Sequence, residues 1–195
     1  GRDLEYSSNF LKNFNDKGHK LTLDFSYSTD NDSDNSIISD ETIGSNIPAT
    51  FDTTFNNQKQ KQVQLQGDYV LPLKNGSQFE AGYKGNFNNM DTEYSVKTDN
   101  NGNPIADYLS NTLEYNERIN AFYTQYGFKV NKFSYLFGLR WEDTKIDVNL
   151  LDTQNYNTKE YNNFFPSAFV NYEITDESSV SLSYSKRLSR PRGRF

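Results

Sequence analysis

The residues with the clearest chemical potential in this chain are four carboxylates within twelve positions. Asp30, Asp32 and Asp34 alternate along the segment DNDSDNSIISDE, and Glu41 closes it. This spacing matches positions 1, 3, 5 and 12 of an EF-hand calcium loop, in which carboxylate oxygens bind the ion. The pattern makes Ca2+ the one candidate cofactor. The alternative is an acidic loop that is simply solvated, because such loops are common in polar connections.

Composition excludes most other chemistry. The chain has no Cys and a single His, His19, in the segment DKGH. It therefore contains neither a thiol nucleophile nor the Cys and His cluster of a zinc site. A formal net charge of −6 argues against a nucleic-acid partner, since phosphates require a basic surface. We expect a protein that is not an enzyme.

The elements around the acidic segment have a period of two. In VQLQGDYVL, Val63 and Leu65 point to one side and Gln64 and Gln66 to the other, and seven further stretches behave in the same way. The predicted strands cover residues 4–14, 20–29, 62–73, 77–88, 118–130, 133–141, 165–175 and 179–188. Four short turns pair these strands into hairpins, and each turn keeps the apolar residues of both strands on one face.

Long polar connections are predicted between the hairpins, over residues 30–61, 89–117 and 142–164. Short turns on one side and long loops on the other are typical of outer-membrane barrels, in which the short turns are periplasmic. Only 34% of the residues are hydrophobic, but there are 14 Tyr and 15 Phe. A membrane barrel reconciles these values because it needs apolar side chains only on its lipid face. A soluble barrel or sandwich also alternates and is the alternative.

The C-terminal segment FFPSAFVNYEITDESSVSLSYSKRLSRP and the opening EYSSNFLKNFNDKGHKLTLDFSYS carry a family resemblance. Together they resemble the barrel region of TonB-dependent outer-membrane receptors of the Bacteroidetes type. The matching signature is a Phe-Pro that leads into a strand, a short turn, and a Tyr-Ser-basic-Arg sequence that ends in Arg-Pro. Its residues here are Phe165, Pro166, Tyr184, Arg187, Arg190 and Pro191.

The resemblance implies energised import through a barrel of about 22 strands that encloses a plug. We expect residues 1–195 to be a partial barrel domain without the plug, the TonB box or a signal peptide. Its function would be that of a wall segment in a receptor that takes up a bulky nutrient or chelate. A complete eight-stranded outer-membrane barrel with a structural or adhesive role is the alternative, since the strand count also fits it.

The resemblance also indicates the partners. These are outer-membrane lipid, the remainder of the barrel and its plug, and the TonB system only through segments that lie elsewhere. The arginines and lysines from Lys186 to Arg194 would emerge at the outer leaflet, where lipopolysaccharide phosphates are a candidate ligand. A solvated barrel rim is the alternative for this basic end.

Overall fold

The computed structural model describes residues 1–40, 43–44, 50–100, 103–104 and 110–187. Within them, nine antiparallel strands form one sheet, and eight of them follow one another as an up-and-down meander. The two-residue strand β5 pairs only with the end of β4. The strands are β1 (Arg2–Asn13), β2 (Lys20–Asp40), β3 (Thr50–Pro72), β4 (Gln78–Asn100), β5 (Asn103–Pro104), β6 (Asn111–Val130), β7 (Phe133–Leu150), β8 (Asn155–Thr175) and β9 (Ser178–Ser185).

The short turns lie where the sequence predicts them. Gly18 has φ +89° in the first turn, and Asn75 and Gly76 have positive φ in the single 3-10 turn Lys74–Gly76 that joins β3 to β4. Val130 pairs with Phe133 across a two-residue turn. The turn before β9 is one residue shorter than expected, because β9 begins at Ser178 and a bulge in β8 absorbs the difference. All four turns keep the predicted faces.

The long polar connections were predicted wrongly, because most of their residues are strand. The β2–β3 ladder continues to the pair Asp40 and Thr50. The β7–β8 connection is only the turn over residues 151–154, since Leu150 pairs with Asn155. A backbone ladder needs hydrogen-bonding partners and no apolar face, so strands extend into water wherever a neighbouring strand also extends.

The two faces of the sheet differ along its lower half, next to the short turns. One face carries an apolar band, and its upper edge is aromatic, with Tyr27, Phe87, Phe122, Trp141 and Phe164. The central strands cross this band over about 9–11 residues, which is the length of a tilted transmembrane strand. We call this side the lipid face. The opposite side, which we call the lumenal face, is polar at the same level, and its side chains are the more shielded ones on β3 and β6.

The sheet is open. Among the described residues, β1 pairs only with β2, and β9 pairs only with β8. The part of the chain that the structure describes contains no helix long and apolar enough to cross a membrane.

Candidate functional site

The lumenal face at membrane level carries a network of satisfied polar side chains. Asn9 donates to Asp24 over 2.6 Å, and Gln125 donates to Glu80 over 2.7 Å, each across neighbouring strands. Arg140 pairs with Glu142 over 2.9 Å, and the Glu142 side chain is only 9% exposed. Charged groups in a shielded place need such partners, because an unpaired one carries a large desolvation cost.

One contact of this network crosses a whole strand. The Tyr123 hydroxyl on β6 donates to the Asp68 carboxylate on β3. Tyr123, Gly82 and Asp68 are register neighbours, so the Tyr123 ring lies over Gly82 of β4. A Cβ on Gly82 would lie 2.5 Å from the Tyr123 hydroxyl oxygen. The missing side chain of Gly82 therefore makes room for this cross-strand contact.

Above the apolar band the polarity of the two faces is inverted. On β6 and β7 the lipid-face positions become Glu114, Asn116, Arg118, Asp143, Lys145, Asp147 and Asn149. The lumenal positions of the same strands towards their upper ends become mostly apolar or aromatic, and Glu117, which pairs with Ile146, is charged. We call the half-buried set Met90, Tyr115, Ile146, Val148 and Leu150 the vestibule patch. Leu113, which pairs with Leu150, is 9% exposed and adds a buried apolar side chain to the vestibule patch.

The inversion comes from the environment rather than the backbone. The β6–β7 register is unbroken from the pair Val130 and Phe133 to the pair Leu113 and Leu150. A bulge would exchange the faces of a strand, but this ladder has none. The outward side of these strands is therefore in water above the membrane, and the inward side offers apolar surface to the lumen.

One register row joins the vestibule patch to the carboxylates. Asp30 pairs with Gln60, Gln60 with Met90, and Met90 with Tyr115, which pairs with Val148. An amide ladder lies in the middle of this surface. Gln60 donates to Asn88 over 2.8 Å, and Gln62 donates to Asn86 over 3.0 Å. The row thus changes from acidic through amide to apolar across five strands.

The predicted calcium ligands lie partly on a strand. Asp30, Asp32 and Asp34 alternate along β2, so all three side chains are on the lumenal face and are exposed. An extended strand spaces alternate residues by about 6.6–6.8 Å in a line, whereas an EF-hand loop wraps its ligands around the ion. Glu41 lies outside the described residues. Among the described ones no group of three or more acidic or His side chains is placed to hold a metal, and the calcium loop stays a prediction.

The family-signature residues lie on the last hairpin. Phe165 pairs with Arg140 on the lumenal face, and Pro166 pairs with Leu139 on the lipid face. Tyr184 is an exposed residue of β9, and Arg187 follows that strand. Arg190 and Pro191 lie outside the described residues, so the signature is seen only in part.

A charged cluster occupies the lipid-face side of the β7–β8 hairpin above the band. Lys145 pairs with Glu160 over 2.7 Å, and this hydrogen bond raises the Lys145 pKa. The Thr158 hydroxyl donates to the Asp147 carboxylate over 2.7 Å, and the Tyr156 hydroxyl donates to it over 2.9 Å. These hydrogen bonds lower the pKa of Asp147. The cluster satisfies its own charges and joins the two strands beyond the membrane.

The sequence interpretation missed the vestibule patch, although a signal was present. The segments LEYN and KIDVNL alternate in the opposite phase to the membrane strands. They lie in stretches assigned to loops because the surrounding composition is polar. The inverted phase would have identified them as strands with a wet outer face.

Comparison with solved structures finds a similar fold in a transporter. The ferric citrate transporter FecA in its unliganded form matches with a TM-score of 0.63 at 16% identity, over 92% of this chain and 26% of that chain. The alcaligin outer-membrane receptor FauA from Bordetella pertussis matches with a TM-score of 0.40 at 15% identity, over 94% of this chain and 41% of the FauA chain. This chain thus spans about a quarter of FecA, and the likeness concerns the fold alone.

Sequence comparison gives the family. No curated protein matches the chain. The outer membrane protein beta-barrel family matches it over residues 12–195, which is nearly its whole length. The apolar band, the short turns and the polar lumenal face are the features that such a barrel wall requires. The chain belongs to the outer membrane protein beta-barrel family, and its place is the cell outer membrane.

Proposed function

We propose that this chain is a wall segment of a TonB-dependent outer-membrane receptor of the Bacteroidetes type, which takes up a bulky nutrient or chelate without catalysis. The observation that carries the proposal is the shape of the sheet. The described strands form one open antiparallel sheet that matches FecA over 92% of this chain, and its first and last strands do not pair with each other. This open sheet supports a segment of a wider barrel.

The open edges favour this function over a complete small barrel. An eight-stranded barrel must pair its first and last strands, since a spanning sheet leaves no edge in lipid. Here β1 and β9 are both free on one side among the described residues. In the proposed receptor further strands pair with both edges, and the polar lumenal network faces a plug. Lipid and lipopolysaccharide are the proposed partners of the outer side, and TonB acts through other segments.

Cysteine crosslinking tests the proposal directly, because the chain has no Cys of its own. In the intact gene product in outer membranes, Asn9→Cys on β1 would be combined in turn with Ser181→Cys and Ser183→Cys on β9. A disulfide needs Cα atoms about 4.4–6.8 Å apart, which only a closed eight-stranded barrel would provide. We expect no crosslink between β1 and β9.

The control is the pair Asn9→Cys and Asp24→Cys, whose native side chains are 2.6 Å apart across β1 and β2. This pair should crosslink and thereby report correct folding and accessible thiols. Efficient crosslinking of β1 to β9 in the same membranes would identify a closed small barrel and end the receptor proposal.

A further inference from the structure

We infer that the row from Asp30 to the vestibule patch binds a cationic oligopeptide that carries aromatic or aliphatic side chains. The inference rests on the proposed receptor function and names its ligand class. Three properties of the lumenal face above the membrane support it, namely apolar surface, negative charge, and a line of amides between them.

The apolar surface has no lipid to cover it. Tyr115, Ile146 and Val148 lie above the band and face the lumen, while their strand neighbours on the other side are charged or amides. Removing the remaining apolar surface of these half-buried side chains from water favours binding. Contiguous apolar patches of this kind mark binding surfaces on soluble parts of proteins. The patch therefore selects a ligand with apolar side chains.

The charge at the other end of the row is negative. Asp3, Asp30, Asp32 and Asp34 share the lumenal face of β1 and β2, and the lumenal positions of β2 from Ser26 to Ile38 include no basic residue. Asp3 and Asp30 are register partners, so their like charges repel each other, and a ligand cation would relieve this repulsion. Exposed charge pairs contribute little affinity, so the carboxylates orient and attract the ligand more than they hold it.

The distance between the two ends fits a short peptide. Three strand spacings separate β2 from β6, which amounts to about 14 Å. An extended chain covers about 3.3–3.6 Å per residue, so four or five residues reach from the carboxylates to Tyr115. Between these ends, Gln58, Gln60 and Asn88 present amide groups, which can both donate to and accept from peptide bonds. Gln60 already donates one hydrogen bond to Asn88, and its amide oxygen and second N–H can still bond a peptide, which a pure hydrocarbon ligand cannot use.

Fluorescence anisotropy with the intact gene product in detergent tests the inference. The probe is the labelled pentapeptide Lys-Lys-Ala-Phe-Leu, and the comparison peptides are Glu-Glu-Ala-Phe-Leu and Lys-Lys-Ala-Ser-Ser. The first should bind at least tenfold more tightly than either of the others. Val148→Ser should weaken its binding about five- to tenfold, as expected when roughly half of a valine's burial is lost. Asp30→Asn should weaken binding about two- to fivefold and reduce its salt dependence.

Matched variants on the opposite face give the controls. Asn149→Ser is adjacent to Val148 but faces outward, and Asp91→Asn removes an outward carboxylate, so neither should change peptide affinity. Equal affinity for all three peptides, a preference for the acidic peptide, or equal effects of Val148→Ser and Asn149→Ser would overturn the inference. A protein that passes the crosslinking test but binds none of the peptides would refute this ligand class and leave the receptor function standing.

Discussion

Replacing Gly82 by Ala should show that the Tyr123–Asp68 contact locks three strands together. The added Cβ would clash with Tyr123, because it would lie 2.5 Å from the hydroxyl oxygen and 2.5 Å from the ring atom Cε2. Both atoms are at the far end of a side chain, so the ring can move aside. The sheet then loses the hydrogen bond from Tyr123 to Asp68 but keeps the backbone hydrogen bonds between β3, β4 and β6.

The cost follows from that loss. A hydrogen bond to a charged acceptor contributes about 1.5–3 kcal/mol, and Asp68 keeps its second bond, which Gln66 donates over 2.8 Å. Gly82→Ala should therefore destabilise the barrel by about 2 kcal/mol. In a Tyr123→Ala background the obstacle is gone, and the same Gly82→Ala change should be neutral or stabilise by about 0.5–1 kcal/mol, because Ala suits a strand better than Gly.

Urea unfolding of the intact protein in lipid vesicles, followed by the heat-modifiable shift in electrophoretic mobility, measures both values. Gly67→Ala is the control, because its Cβ would meet only a flexible Leu23 methyl at 3.2 Å. It should change the free energy of unfolding by less than about 0.5 kcal/mol. An equal cost of Gly82→Ala in both backgrounds would refute the lock.

Three further outcomes test other parts of the structure. Leu65→Arg should destabilise the barrel by about 2–4 kcal/mol and Gln64→Arg much less, and equal losses in unfolding experiments would contradict the assignment of the lipid face. The Asp147 carboxyl, whose pKa is lowered, stabilises its hairpin above the ordinary value of 3.8, and this contribution is lost as the pH falls through the lower folded pKa. Cleavage there by an acid-active protease, corrected for the protease's own pH dependence on an unstructured peptide, should increase below pH 3.8, and the increase should be smaller in Asp147→Asn. Calcium should protect the β2–β3 hairpin end from proteolysis, and Asp32→Ala with Glu41→Ala should remove that protection, while calorimetry without a binding signal at millimolar calcium would contradict it.

The membrane part of the fold could be predicted because lipid acts on one face alone. The alternation in VQLQGDYVL and the parity of four turns placed Leu65, Val130 and Phe133 on the correct side. The strand ends could not be predicted in this way. Along β2 and β3 above the membrane both faces meet water, so the pairs from Asp32 with Gln58 to Asp40 with Thr50 leave no apolar period in the sequence. Backbone pairing alone extends those strands.

The candidate site could not be predicted from the sequence for a related reason. Tyr123, Gly82 and Asp68 become neighbours only through the register of three strands, and the row from Asp30 to Val148 requires five. Periodicity gives the face of each residue but not its height relative to other strands. The inverted alternation gives the faces of Tyr115 and Val148, but their place in one row with Asp30 requires the register.

The inverted phase of β6 and β7 has a consequence for the location of the membrane surface. Phe122 and Trp141 are the last large aromatic side chains on the lipid face, and Glu114 to Arg118 and Asp143 to Asn149 replace them above. Because the ladder is continuous, the exchange between these residues marks the level at which lipid gives way to water. A wall with an apolar inner surface immediately above that level cannot be explained by the membrane. Its apolar side chains are placed for something that enters the lumen from outside.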